Sequence, residues 1–384
     1  MNRKKRLMAI IIIVLTTSLI SAQEKAEDIS IGHSLKITSS ILGEDRDILI
    51  YLPEGYNESE KKYPVLYMLD GETHFHHGSG IVQFLSANDR IPQCIVVAIP
   101  NTNRGRDFSL PTGIEEANRG GADNFLDFLQ DELMPLIDLK YRTHPYSILF
   151  GHSSTGMFSV YTFVERPHLF NANIAASPSL QERNGFVVEK AKKLLTKEST
   201  KNRALYITLG NEPSFVESIE NFTTILKGFY DTGLEWKYEI MLKEDHGSVV
   251  HKSIYQGLEF VFSGLQISAE EAKDLSSIQN YYSSLSEKFG FKITPPELLL
   301  NRLAYQVFLK KEFAHAIEIL KANVSLYPNS DNVYDSLGEA YEGTGKLELA
   351  VKNYKIALEK GQKSKSRNVA LYKRNLERVQ ALIK

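Results

Sequence analysis

Gly151-His152-Ser153-Ser154-Thr155-Gly156 sets a serine among small residues, directly after the short apolar run Ser147-Ile148-Leu149-Phe150 and before the helical spacing of Gly156 to Val164. A serine on a sharp strand-to-helix turn exposes its hydroxyl and can attack a carbonyl carbon. The strained turn needs small residues two positions to either side. Gly151 meets that need on the near side. Thr155 stands where the second glycine is expected, and Gly156 follows one position late. Choosing Ser154 restores a glycine on the far side but puts His152 on the near side and shifts the nucleophile off the strand end. Ser153 is therefore the candidate nucleophile.

A serine hydroxyl also needs a base, and the base needs an acid to orient it. In this order of elements the histidine comes last. His246, in Glu244-Asp245-His246-Gly247-Ser248, follows the strand-like run Lys237 to Leu242, while His251 is expected on the helix beyond. The first carboxylate after the run Ala204 to Leu209 is Glu212, in Gly210-Asn211-Glu212-Pro213. Glu217 and Glu220, one or two turns into the next helix, stay open as alternatives. The backbone N–H groups of Ser154 and of Glu72, in the turn Asp70-Gly71-Glu72, are the candidate oxyanion donors. Together these predict two-step acyl transfer through a Ser-His-acid triad.

His74, His76 and His77 cluster beside that turn. Neighbours this close rarely converge on one metal, and no further ligand stands at suitable spacing, so no metal is expected. His76 and His77 are assigned instead to the wall of an ester-binding cleft. Arg104 and Asp107 are assigned to substrate binding through an anionic group; with Arg106 they could equally form a loop salt bridge.

The elements that must hold these residues are legible in outline. Leu35 to Thr38 alternates and Asp47 to Leu52 is rich in β-formers, with Gly43-Glu44-Asp45 as the turn of a hairpin. The continuous apolar runs Pro64 to Leu69 and Cys94 to Ile99 suit strands buried on both faces. Helical spacing over Asn124 to Ile137, Gly156 to Val164, Phe215 to Phe229 and Ile254 to Phe262 alternates with strand-like runs at Ser147 to Phe150, Ala172 to Ala176, Ala204 to Leu209 and Lys237 to Leu242. A hairpin followed by repeated β-α units predicts an α/β fold: a mostly parallel sheet with helices on both faces.

Beyond Ser263 the strand signals stop. Tyr334, Leu337, Gly338 and Tyr341, then Ala350, Tyr354 and Ala357, have the large-small spacing of a tetratricopeptide helix pair. One period earlier, about 34 residues, stand Leu300, Leu303, Ala304, Val307, Ala316 and Leu320, all apolar; the final step meets polar Asn323. The helix from about Arg367 to Ile383 is expected to cap the stack. The expected division is a signal peptide over 1–22, a hydrolase over 23–263, a helical linker over 264–296 and tetratricopeptide-like repeats over 297–384. The repeats are read as a surface for a protein partner or for self-association.

The chain from about Ser34 to Phe262 resembles the esterase D-like "putative esterase" family of α/β-hydrolases, which includes siderophore trilactone esterases and S-formylglutathione hydrolase. The resemblance is carried by Pro64-Val65-Leu66-Tyr67-Met68-Leu69-Asp70-Gly71, Asn101-Thr102-Asn103-Arg104-Gly105-Arg106-Asp107, the serine turn, Gly210-x-Glu212 and Asp245-His246-Gly247. It implies hydrolysis of a carboxylic ester without metal or organic cofactor and does not fix the substrate, which stays open among a siderophore, an acylated polysaccharide and a small metabolite. The family's usual Gly-His-Ser-x-Gly-Gly is broken here by Thr155. The same residues would serve transfer of the acyl group to a sugar or lipid, and a hydrolase fold that has lost catalysis would serve as an assembly platform.

Arg3, Lys4, Lys5 and Arg6, the apolar stretch Leu7 to Ile20 and small Ser21-Ala22 have the order of a signal peptide cut after Ala22, predicting a periplasmic or extracellular protein. The apolar stretch is short for a membrane span, and an uncleaved anchor is the competing reading. Cys94 is the sole cysteine, so no internal disulfide can form and stability rests on the core. A formal charge of −2 gives no reason to expect a nucleic-acid partner.

Overall fold

The computed structural model describes residues 29–111 and 120–383; the expected signal peptide lies outside them. The strands are β1 (His33–Ser39), β2 (Glu44–Tyr51), β3 (Tyr63–Leu69), β4 (Ile95–Ile99), β5 (Thr143–His152), β6 (Ala172–Ala176), β7 (Ala204–Leu209) and β8 (Glu235–Ile240). They form a single eight-stranded sheet in the order β1-β2-β4-β3-β5-β6-β7-β8. The expected hairpin is present: β1 pairs antiparallel with β2 from His33↔Ile50 to Ser39↔Glu44. Gly43, at φ 68°, takes the left-handed backbone of its turn. β2 pairs antiparallel with β4, and every later pairing is parallel. This is the architecture of an α/β-hydrolase-like fold.

Helices cover both faces of the sheet. Along the hydrolase-like part run α1 (Gly71–Ala87), α2 (Arg104–Asp107), α3 (Gly121–Asp127), α4 (Met134–Lys140), α5 (Ser154–Glu165), α6 (Glu182–Leu194), α7 (Lys197–Thr200), α8 (Pro213–Leu226) and α9 (Val249–Val261). Every residue of β3, β4, β6 and β7 is buried, which explains their unbroken apolar runs. Cys94, just before β4, is fully buried in the core under α1 and α9, and burial pushes its thiol pKa up. The opposite face carries Phe125, Phe128, Met157, Phe158 and Phe222 from α3, α5, α8 and the turn after α3.

Three features differ from the sequence reading. The single helix expected over Asn124 to Ile137 is α3 and α4 joined by a π-helical segment, Phe128–Leu133. Pro135 at the start of α4 cannot donate to a helical carbonyl, and the widened turn before it accommodates that loss. Neither α1 nor α6 was read from the sequence. In α1 the glycines Gly71, Gly78 and Gly80 lower helix propensity; packing overrides them, since a Cβ on Gly78 would lie 2.3 Å from the Met68 methyl. In α6 the residues Arg183, Asn184 and Gly185 are left-handed, so the regular helix begins only near Phe186.

From Leu275 onward the chain is helical: α10 (Leu275–Phe289), α11 (Glu297–Leu309), α12 (Phe313–Leu326), α13 (Asn332–Gly343), α14 (Leu347–Ser364) and α15 (Val369–Ile383). The core beneath α1 and α9 continues without a break through Leu265, Tyr282 and Phe289 into Leu300, Ala304 and Tyr341. The junction is aromatic: Phe291 stacks on His144 with ring centroids 4.6 Å apart, and Phe289 meets Tyr146 edge-on at 5.5 Å. His144 and Tyr146 open β5 and Ser153 follows its last residue, so the helical region joins the sheet at the strands' N-terminal ends. Nine residues of strand, about 30 Å, separate that junction from Ser153. Phe289→Ala removes a buried ring from this cluster and is expected to cost about 3–5 kcal/mol of unfolding free energy, read as a lowered urea midpoint.

Candidate active site

Parallel strands of an α/β sheet present their C-terminal ends to a crevice where ligands bind. Here the residues following β3, β5, β6, β7 and β8 meet at that end. Ser153 leaves β5 at φ 60°, ψ −119° and starts α5. A non-glycine residue in that region costs about 1–3 kcal/mol and persists only where its surroundings over-determine it. Those surroundings are identifiable. Gly151 lies so close beneath the first turn of α5 that a Cβ there would sit 2.1 Å from the Thr155 carbonyl oxygen; one on Gly156 would sit 2.9 Å from that of Ala176. Ser153 N donates to Ala176 O at 2.9 Å, and Ser153 O accepts from Met157 N at 2.8 Å. Ser154, the other serine considered, is an ordinary first residue of α5.

Glu212 and His246 come together. Glu212 Oε1 lies 2.5 Å from His246 Nδ1, and the His246 side chain is 44 % exposed, open to an incoming molecule. Their loops are locked to each other: Asn211 N donates to Glu244 O at 2.7 Å, and a Cβ on Gly210 would meet the Asp245 carbonyl at 2.8 Å. Asp245 Oδ1 accepts from the N–H groups of Gly247 and Ser248, which shapes the turn carrying His246 and holds the Asp245 carboxyl below its usual range. Glu217 and Glu220 are exposed on α8.

Two residues that the sequence reading did not single out hold these loops in place. Ser177, fully buried after β6, donates through its hydroxyl to Glu212 Oε2 and accepts from Gly210 N at 3.2 Å. Its sequence signal was its place directly after a parallel strand. His152 Nε2 lies 2.7 Å from the His246 carbonyl oxygen, so that nitrogen carries the hydrogen. Burial, reinforced by His246, pushes the His152 ring down to about 4 and keeps it neutral.

The turn after β3 is built around Asp70. A Cβ on Gly71 would lie 2.6 Å from Ile99 N, so the start of α1 is pressed onto the end of β4. Glu72 is the second residue of α1, in the turn whose N–H groups have no partner within the helix. Its carboxylate accepts from Asn101 N and Nδ2. The Asp70 carboxylate, nearly buried, accepts from Asn101 Nδ2, Arg104 Nε and Thr155 Oγ1, each at 2.7 Å. Burial would raise its pKa, but these hydrogen bonds and the Arg104 charge hold it below the usual carboxylate range.

The residues assigned to substrate binding separate. Arg104 lies against the serine turn, its Nη1 3.3 Å from Ser154 Oγ and its Nη2 3.2 Å from His152 O. Of the two readings open for Asp107, the structure takes the salt bridge and not substrate binding: only 1 % of its side chain is exposed, and it is held by Arg46 and Arg106 beneath the loop. A buried, doubly paired carboxylate has no face left for a ligand. His76 is exposed on α1, whereas His77 is half-buried, with Nε2 3.1 Å from His74 Nδ1 and its ring stacked on His251 of α9 at 5.4 Å. His77 thus lies between His74 and His251, and among the described residues no group of three or more His, Cys, Asp or Glu side chains could hold a metal ion.

A mostly parallel eight-stranded sheet with a strained serine after its fifth strand defines an α/β-hydrolase-like protein. The chain belongs to the family described as "Putative esterase", whose model matches residues 39–230, half of its length. The ferri-bacillibactin esterase BesA of Bacillus subtilis strain 168 is 29% identical over 168 residues, covering 38% of this chain and 58% of that protein. The chain thus spans a little over half the length of the curated relatives it matches. An IroE-like serine hydrolase of Shewanella oneidensis, a solved structure, is 29% identical, covering 77% of this chain and 99% of its own, with a TM-score of 0.64. An uncharacterised protein from Capnocytophaga ochracea DSM 7271 shares the fold over 91% of this chain and 99% of its own, at 18% identity and a TM-score of 0.62.

The buried histidines make acid stability predictable. Burial, with a smaller contribution from His77, lowers His74 from 6.5 to about 4. Between those values the unfolded chain binds a proton that the folded one refuses. Stability is therefore full above pH 6.5 and declines as the pH falls to 4, by up to about 3 kcal/mol for this ring. Urea unfolding across pH 4 to 7 should show that decline, with a shallower one in His74→Phe.

Proposed function

We propose that the protein is a serine carboxylic ester hydrolase working through Ser153, His246 and Glu212. The observation that carries this reading is the backbone of Ser153, held at φ 60°, ψ −119° where an unstrained serine would be cheaper. Such a turn lifts the hydroxyl out of the end of the sheet. The 2.5 Å contact between Glu212 and His246 Nδ1 supports it, since it fixes the ring and leaves Nε2 free for proton transfer. In the proposed reaction His246 takes the Ser153 proton as Oγ attacks the ester carbonyl carbon. The N–H groups of Ser154 and Glu72 receive the oxyanion, and His246 returns the proton to the departing alcohol. Water, deprotonated by His246, then attacks the acyl carbon; collapse of that intermediate breaks the bond to Ser153 Oγ, which takes the proton back from His246 as the acid leaves.

The substrate class we infer is a small ester, with siderophore esters first. The names of the relatives support this, and Arg104 adds a partly exposed cation beside the serine turn. Export by a signal peptide over residues 1–22, to the periplasm or outside the cell, is proposed on the sequence order alone. The region after about residue 297 is proposed to be tetratricopeptide-like, serving protein binding or self-association, with 264–296 as the linker from a hydrolase over 23–263. Small residues at the helix crossings support that: Ala304, Ala316 and Ala350 are fully buried, and a Cβ on Gly338 would meet the Tyr354 ring at 2.8 Å.

Ser153→Ala is expected to lower hydrolysis of a short p-nitrophenyl ester by about a thousandfold or more, and Glu212→Gln to lower kcat substantially while the protein stays folded. Survival of wild-type turnover in Ser153→Ala would end this reading. Profiling against siderophore esters, acylated polysaccharides and small metabolite esters identifies the substrate.

A further inference from the structure

The two N–H groups assigned to the oxyanion come from different elements. Ser154 is the first residue of α5, and Glu72 is the second residue of α1. Their spacing must be set by whatever fastens one turn to the other. We propose that Thr155, through its hydrogen bond to Asp70, is a positioning residue that sets the spacing of the two oxyanion donors. This inference rests on the reading of the protein as a serine hydrolase.

The fastening is built of buried atoms. Thr155 is fully buried; its hydroxyl oxygen lies 2.7 Å from Asp70 Oδ2 and 2.9 Å from His152 O, and its one hydrogen goes to the nearer, charged Asp70 while the oxygen accepts from His152 N at 2.8 Å. A single oxygen thus closes the serine turn and ties it to the residue before α1. Asp70 itself is left-handed, at φ 52°, ψ 46°, and Gly71 and Glu72 follow directly, so the place of its carboxylate constrains where the first N–H groups of α1 lie. Asp70 Oδ1 accepts from Asn101 Nδ2 and Arg104 Nε, Arg104 Nη2 reaches Oδ2 as well at 3.2 Å, and Arg104 continues to Ser154 Oγ and His152 O. The carboxylate stays ionised, which makes the Thr155 bond charge-assisted and short.

Thr155 stands where the family pattern has glycine, and glycine has no oxygen to offer. In this chain the hydroxyl satisfies an Asp70 lone pair and the His152 N–H that glycine would leave to other partners. Valine has nearly the same shape but no hydroxyl, and serine keeps the hydroxyl without the methyl group. The two substitutions therefore separate the hydrogen bond from the packing.

The test uses the full chain. Fluorophosphonate labelling of wild type and of Ser153→Ala comes first: labelling that depends on Ser153 establishes the hydrolase reading independently. Thr155→Val is then expected to lower kcat on a p-nitrophenyl ester by about tenfold to a hundredfold with KM changed little, because oxyanion contacts act in the transition state. Affinity for an alkylboronic acid, which forms a tetrahedral adduct on serine, should fall in parallel. Thr155→Ser should restore most of both. If Ser153 labels in the wild type but Thr155→Val keeps wild-type kcat and boronate affinity, or Thr155→Ser is as impaired as Thr155→Val, the positioning proposal is overturned and the hydrolase reading stands. If the wild type does not label, both are overturned.

Discussion

The close approach of backbone to backbone at the serine turn is the constraint on which the site depends. β5 ends and α5 begins with no room for a side chain at Gly151, where a Cβ would sit 2.1 Å from the Thr155 carbonyl oxygen. That contact forces the reversal into the residue between, and Ser153 takes it up as a positive φ. The unfavourable conformation is held by the surroundings: Gly156 is pressed against the end of β6, and the Ser153 N–H is bonded to Ala176. Strain at one residue is maintained by packing spread over three elements, as expected where local geometry serves chemistry.

The same logic of short links extends outward from the turn. His152 reaches the loop of His246, Ser177 reaches Glu212, and Thr155 reaches Asp70. Each of these hydroxyls or rings is at least partly buried and directed at a partner on a different loop. A buried polar group without such a partner would cost more than its bond contributes, so each link specifies one arrangement of the loops. Neutral rings at His74 and His152 suit this packing, because a charged imidazole there would be poorly solvated.

The helical region does not crowd the site. Its aromatic junction stands at the N-terminal ends of the strands, with Phe291 on His144 and Phe289 against Tyr146, while Ser153 stands at the C-terminal end of β5. The core nevertheless runs continuously from beneath α1 and α9 into α11 and α13. The sheet and the helices therefore share one apolar interior along that face, and among the described residues their junction stands at the opposite end of β5 from Ser153.

Periodicity and punctuation were enough to read the hairpin, the buried strands and the places where the chain turns from strand to helix, because strands buried on both faces need unbroken apolar runs and a tight turn needs glycine. They also pointed to Ser153 and His246, with Glu212 first among three carboxylates, since the ends of successive strands must converge at one edge of a parallel sheet. α1 was not legible: its glycines argue against a helix, and packing against β3, β4 and α9 makes one. For Asp107 the sequence left substrate binding and a loop salt bridge equally open, because a carboxylate near arginines looks the same whether it faces a ligand or, as here, is buried against Arg46. Thr155 read as a flaw in the turn. Which carboxylate lies next to His246, and what oxygen meets the Thr155 hydroxyl, depend on loops distant in sequence, and tertiary packing alone brings those together.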